Sequence, residues 1–218
     1  MQGFEELDFG SMSGGDRYKI LASTVLPRPI AWVVTRNAEG MVNAAPFSFF
    51  NAVGSAPPIL MFSVSAYGER HWKDTLFNVR THGEFVVNLV PEELAKQMNI
   101  TAIDAPAGVD ETALAGLEMV PSKTVSVPRI AASPVAFECR LYKEIEIGRN
   151  VMVLGEILHA AIRSDAFANR DRLYIDPDKL KLIGRMAGAG GYCRTGDQFV
   201  MERLTWPLDQ EQDVSSQK

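Results

Sequence analysis

Residues 43–51 read NAAPFSFFN. Three aromatics, Phe47, Phe49 and Phe50, crowd around small residues, Pro46 interrupts them and Asn51 closes the stretch. It is too apolar for a solvated loop, and Pro46, which has no N–H, bars it from the centre of a regular sheet. The segment therefore reads as extended backbone at an edge or a break in strand pairing. Upstream, residues 30–35 (IAWVVT) form a β-rich run bounded by Pro29 and by residues 37–40. The short polar turn RNAEG joins this run to MVNAAPFSFF, and a β-hairpin is the economical reading.

Working outward, PPILMFSVS at 57–65 is a continuous apolar run, as expected of a strand buried on both faces. The period then changes. HWKDTLFNVRTHG places Trp72, Leu76, Val79 and Arg80 at helical spacing, with Gly83 as the stop. EFVVNLV is a further strand, and PEELAKQMNITAI a helix opened by Pro91 with acids in its first turn. Residues 104–122, rich in small side chains, read as an excursion with a short helix, of the kind that rims a site in enzymes. SPVAFECRLYKEIEIG alternates, with Val135, Phe137, Cys139 and Leu141 on one face and Ala136, Glu138, Arg140 and Tyr142 on the other. GRN turns it into VMVLGEILHAAI, a second hairpin, and a helical turn is expected around DPDKL. About six or seven strands and two or three helices, without regular β-α-β alternation, predict a mainly β fold with interspersed helices, a small antiparallel barrel or sandwich. The expected organisation is an arm over 1–17, one domain over 18–206 and a polar tail over 207–218.

The 218 residues suit one domain, and 46% apolar residues can bury a real core. A formal charge of −5 without a Lys/Arg run argues against a nucleic-acid partner. No apolar stretch approaches the roughly 20 residues of a membrane-spanning helix, and MQGFEELDFG does not have the pattern of a secretory signal. Cys139 and Cys193 are distant and belong to no C-x-x-C, so two free thiols in a reducing cytoplasm are expected. His71, His82 and His159 lack metal-ligand spacing, and no metal is expected.

Three stretches carry candidate chemistry. SVSAYGERHWKDTLFN leaves a strand and enters a helix near Trp72 or Lys73, gathering Arg70, His71 and Lys73 with Thr75 at the helix start. Cations there oppose the helix dipole, and a bound anion would relieve the conflict; a solvated basic loop with Asp74 as an ordinary first-turn acid is the other reading. In NAAPFSFFN the ordinary reading is a strand packing Phe47, Phe49 and Phe50 into the core. The alternative is an edge whose backbone groups, with Asn43 and Ser48, meet a flat hydrogen-bonding ring such as an isoalloxazine, the small Ala44 and Ala45 allowing close approach. The glycine-rich GRMAGAGGYCRTG at 184–196 fails as a dinucleotide fingerprint: its third glycine position is Cys193 and no strand-to-helix context is evident. It reads as backbone passing close to another chain or a ligand, beside Arg185, Tyr192 and Arg194. The sequence has no G-x-S-x-G, P-loop or spaced carboxylate pair, which suits chemistry carried by a cofactor.

Taken in order, RPIAWVVTRNAEGMVNAAPFSFFNAVGSAPPILMFSV, KDTLFN and EFVVNLV, followed by LIGRMAGAGGYCRT, resemble the flavin reductase-like, FMN-binding split-barrel family, which includes flavoredoxins and reductase components of two-component monooxygenases. The resemblance runs from about Arg28 to Arg194. It implies a homodimer of split β-barrels that binds FMN near the subunit interface and uses NADH or NADPH as reductant, with a monooxygenase or another acceptor downstream. It also implies that Asn43, Ala44, Ala45, Pro46, Phe47 and Ser48 line the ring and ribityl chain. Ser63, Ser65, Lys73, Asp74 and Thr75 would lie about the ribityl and phosphate. Arg28 would approach the flavin, and Arg185 and Tyr192 would reach a site in the neighbouring subunit. Two departures, Gly54 and Ala56 in AVGSAPP and the 66–72 loop, leave open whether FMN is a fixed group or a passing substrate.

Overall fold

A computed structural model of the chain describes residues 3–65, 73–106, 108–188, 190–204 and 206. Helix α1 (Gly14–Thr24) begins inside the stretch expected as a loose arm. Ser13 caps it, accepting the Asp16 N–H at 3.1 Å. Strands β1 (Ala31–Arg36) and β2 (Val42–Phe47) form the expected hairpin, paired from Ala31 opposite Phe47 to Arg36 opposite Val42. The continuous segment expected over MVNAAPFSFF is instead broken: β2 ends at Phe47, and Phe50–Ser55 is a separate strand, β3, paired with β4 (Pro58–Ser65). In β4 the expected two-sided burial holds at Ile59 and Leu60, after which buried and half-exposed residues alternate.

Helix α2 (Asp74–His82) stops at Gly83, whose φ of 69° is the left-handed conformation that glycine adopts without strain. Then follow β5 (Glu84–Asn88), a turn of tight helix at Glu92–Leu94, α3 (Ala95–Ile100) and α4 (Glu111–Leu114). The short ladder β6 (Met119–Val120) with β7 (Arg129–Ile130) precedes the long hairpin β8 (Val135–Ile147) and β9 (Asn150–Ile162). A second ladder pairs β10 (Phe167–Asn169) with β11 (Tyr174–Ile175), and α5 (Pro177–Leu180) is the expected turn at DPDKL. The glycine-rich segment is a third, a hairpin of β12 (Ile183–Arg185) and β13 (Tyr192–Arg194). A short strand does lead into it, contrary to expectation, but the next element is an antiparallel partner and not a helix, so it is still no dinucleotide motif.

The main sheet has seven strands in the order β2-β1-β5-β8-β9-β4-β3, every pairing antiparallel. Its outermost strands, β2 and β3, are consecutive in the chain, with only Ser48 and Phe49 between them. The sheet must therefore curl to bring its ends together, and the Phe47 ring of β2 meets Phe62 of β4 at 5.2 Å between centroids across that seam. The result is a split barrel. Alternate residues of β1 enter two different cores. Ala31 and Val33 pack with Phe62, Phe85, Leu76 and Val79, on the face that α2 covers. Trp32 and Val34 pack with Met98, Val127 and Ile130, under α3 and the 117–130 segment. Burying each of these large side chains contributes roughly 1.5–3 kcal/mol. The buried polar groups among them are matched: Trp32 Nε1 donates to Thr101 Oγ1 at 2.9 Å, and Asn88 bridges the Trp32 carbonyl and the Ile130 N–H.

Candidate functional site

The start of α2 lies directly against the β2 edge. Lys73 is the N-cap residue, with extended backbone and no side-chain capping bond. Its carbonyl accepts the Leu76 and Phe77 N–H groups at 3.0 and 3.2 Å. The N–H groups of Asp74 and Thr75 precede this ladder, and together with the helix dipole they make the end receptive to an anion. Of the other groups expected here, Tyr67, Arg70, His71 and Trp72 lie outside the described residues. Asn43 Nδ2 donates to Thr75 Oγ1 at 3.2 Å, and one turn later Asn78 Nδ2 donates to Thr35 Oγ1 at 3.0 Å. Thr75 and Asn78 are buried, so these two amide–hydroxyl pairs lash α2 to β2 and β1.

The remaining expected residues fall along the seam. Ala44 and Phe47 are core residues, packed into the two clusters, so only their backbone is offered to anything lying on the strand edge. Asn43, Ala45, Pro46 and Ser48 are half-buried. The Ser63 N–H extends the β3–β4 ladder by donating to the Phe49 carbonyl, and Ser65 ends β4, exposed, just before residues 66–72.

Arg28 is 5% exposed and sits beneath the seam. Its Nη1 donates to the carbonyls of Ala22 and Val25 at 2.6 and 3.1 Å, Nη2 to Met186 at 2.8 Å, and Nε to Ser48 Oγ at 3.4 Å. Backbone bonds in both directions pair Arg28 with Arg185, at 3.0 and 2.8 Å. Arg185 in turn holds the Gly188 carbonyl and lies over the Tyr192 ring at 4.8 Å. Arg28 thus links the end of α1, the glycine-rich hairpin and Ser48.

One acid at the site has no local signal in the sequence. Glu111, in the first turn of α4, is 7% exposed. Its carboxyl accepts the N–H of Ala44, and its Oε2 is buried without a hydrogen-bond partner. Burial pushes its pKa above the usual carboxylate value; the N–H groups of Glu111 and Ala44 oppose this, and the charges of Asp74 and Asp110 add to it. An acid beside Asp110, which caps α4, reads locally as an ordinary first-turn residue; only its packing against β2 reveals the inward role. Pro46 lies two residues beyond Ala44 on the same strand, opposite Trp32 as Ala44 is opposite Val34, so the N–H that proline lacks would also have faced outward.

Two hollows flank this arrangement. One of about 320 Å³ runs along the outer face of α2 and shares Asn43 and Asp74 with the site. The other, about 680 Å³, is lined by Tyr192, Cys193 and Arg194 of the hairpin, where Arg194 pairs with Glu92. Among the described residues no cluster of His, Cys, Asp or Glu is placed to hold a metal ion. Cys139, buried in the core and with its thiol pKa pushed up by burial, is placed for packing and not for nucleophilic chemistry. The site can hold an anion at α2 and a planar group along the adjacent strand edge.

Residues 22–206 match the flavin reductase like domain. An uncharacterized protein of Deinococcus radiodurans is 42% identical over 209 residues, covering 94% of this chain and 92% of its own. Among solved structures, nitrilotriacetate monooxygenase component B from Bacillus cereus superposes with a TM-score of 0.87 at 29% identity, over 92% of this chain and 100% of that one. Pseudomonas fluorescens 2-nitrobenzoate 2-nitroreductase NbaA gives 0.85 at 34% identity, over 94% and 100%.

Proposed function

Because the chain belongs to the flavin reductase-like family, we propose that it binds FMN and transfers hydride to it from NADH or NADPH. The observation that carries this reading is the Asn43–Thr75 bond, which places an anion-receptive helix start against the proline-interrupted strand edge. Bound FMN would supply the redox chemistry, accepting hydride from the nicotinamide and passing electrons onward.

The residues of the chain bind and orient. Lys73 and the first N–H groups of α2 hold the phosphate, with Ser65 at the end of β4. Asn43, fixed by Thr75, and Ser63, held in the β3–β4 ladder, face the ribityl chain. The backbone of Ala44, Ala45, Pro46 and Phe47, with Ser48, borders the ring. Arg28 acts through its neighbours: with its donors engaged by three carbonyls and Ser48, it fixes the seam and does not itself grip the ligand.

The likeness to a monooxygenase component supports a downstream oxygenase as the consumer of reduced flavin. A homodimer suits the exposed face of β3, where Asn51 to Ser55 are all solvent-facing, and Arg185 and Tyr192 would then serve the partner's site. The cytoplasm, where NADH and NADPH are found, is the proposed location. Incubation of the purified protein with FMN and either nucleotide tests the reading: nucleotide oxidation well above background supports it, and none with either nucleotide removes it. A protein that keeps its yellow colour through gel filtration yet oxidises neither nucleotide is instead an electron carrier with fixed FMN.

A further inference from the structure

We propose that Glu111 of α4 is a positioning residue for the flavin: it holds strand β2 in place and sets, by its charge, how well the start of α2 takes the phosphate. This deepens the reading above and rests on it, because that reading seats the phosphate at Lys73 and the first N–H groups of α2.

Nothing in the packing requires a carboxylic acid at this position. A glutamine amide would accept the Ala44 N–H equally well, with no charge to desolvate. Glu111 is buried, and its Oε2 has no hydrogen-bond partner. A buried polar atom left in that state calls for a reason outside the core. Its surroundings supply one. Helix α4 packs on β2, the strand that borders the proposed ring, and Asn43 of that strand donates to Thr75 in the first turn of α2. Ala44 is the next residue along, so the bond to Glu111 and the bond to α2 hold neighbouring positions of one strand. Among the described residues, the charges that bear on the Glu111 carboxyl are Asp74, in the first turn of α2, and Asp110 on its own helix. Strand β2 carries no titratable side chain. Both neighbours are acids and, like burial, favour the protonated form. Protonated, Glu111 accepts the Ala44 N–H and adds no charge. Ionised, it joins Asp74 as a second carboxylate near the phosphate, where poor solvation strengthens the repulsion between like charges. A bound phosphate disfavours that ionisation in return, so FMN and the Glu111 proton assist each other's binding. Riboflavin has no phosphate and does not sense the charge.

Fluorescence titrations of FMN and riboflavin against the wild type, Glu111→Gln and Glu111→Ala, from about pH 5 to about pH 8, test this. Circular dichroism verifies each fold. The quantity read is the FMN-to-riboflavin affinity ratio of the wild type divided by that of Glu111→Gln. The second ionisation of the phosphate itself, at about pH 6, is common to both proteins and cancels. The quotient is expected to fall about tenfold as pH rises and Glu111 ionises beside the phosphate. Glu111→Ala, which loses the Ala44 bond, is expected to weaken both flavins together at every pH. A quotient that stays constant, whether neither affinity moves or both move together, overturns the proposal while leaving the function standing. A folded Glu111→Ala that binds both flavins as tightly as the wild type overturns it as well. The Gln comparison decides whether or not Glu111→Ala folds. A wild type that binds no flavin removes both the function and this role for Glu111.

Discussion

Arg28 Nη1 donates to the Ala22 carbonyl at 2.6 Å, which anchors the C-terminal turn of α1 to the barrel seam through one buried guanidinium. The same group reaches Val25, Met186 and Ser48. A lysine cannot reproduce that fork, because its single ammonium would leave several of the carbonyls without a donor. Arg28→Lys is expected to destabilise the protein by about 2–3 kcal/mol, read as a lowered urea midpoint with unchanged slope. A midpoint equal to that of the wild type would show that α1 and the hairpin are held by other contacts.

Lys73 separates a phosphate anchor from a general structural role. Lys73→Ala should weaken FMN by about 1–3 kcal/mol, the range for hydrogen bonds to charged groups, and weaken riboflavin far less, since riboflavin has no phosphate. Titration of both flavins against both proteins measures this. Equal losses would move the phosphate away from the start of α2.

Glu111 links stability to pH in a defined direction. Its folded pKa is raised, first by burial and further by Asp74 and Asp110, so the folded chain holds a proton that the unfolded chain releases earlier. Stability therefore falls as pH rises from the ordinary carboxylate range through the raised folded value. Glu111→Gln keeps an oxygen for the Ala44 N–H and removes the charge. Its melting temperature should exceed that of the wild type at pH 8, and the gap should close as the pH is lowered toward 4. A gap that does not depend on pH would mean that Glu111 titrates as an exposed acid does.

Gly155 in β9 makes room for a ring. A Cβ there would lie 2.3 Å from Phe85 Cζ, in a core where Phe85 meets Phe62 edge-on at 5.5 Å between centroids. Gly155→Ala should destabilise by about 1–3 kcal/mol through overpacking. Thermal melts should show this, and a double variant that also carries Phe85→Leu should recover part of the loss.

The legible parts of the fold were those set by short-range patterns. The β1–β2 hairpin follows from a β-rich run and an extended segment joined by a polar turn, the β8–β9 hairpin from an alternating run turned by GRN, and the end of α2 from Gly83. Helix α1 was missed because it has almost no buried stripe, Ala22 being its one buried residue. A signal was nonetheless there: Ser13 and Asp16 have the spacing of a capping box, obscured by two intervening glycines. Strand β3 was missed because its residues face solvent and carry no apolar period. The Asn43–Thr75 bond joins two segments that the sequence had marked separately, one as a ring edge and one as an anion site. Glu111 and the fork of Arg28 depend on which distant segments pack together, and no local pattern encodes that.

The outer rim of β2 has one further consequence. Strands at the margin of a sheet recruit foreign strands through unpaired N–H groups. Here two successive outward positions are closed to recruitment: Pro46 has no hydrogen to offer, and the hydrogen of Ala44 is already held by Glu111. Pro46 closes its position in any state of the chain, whereas the closure at Ala44 depends on α4 lying against β2.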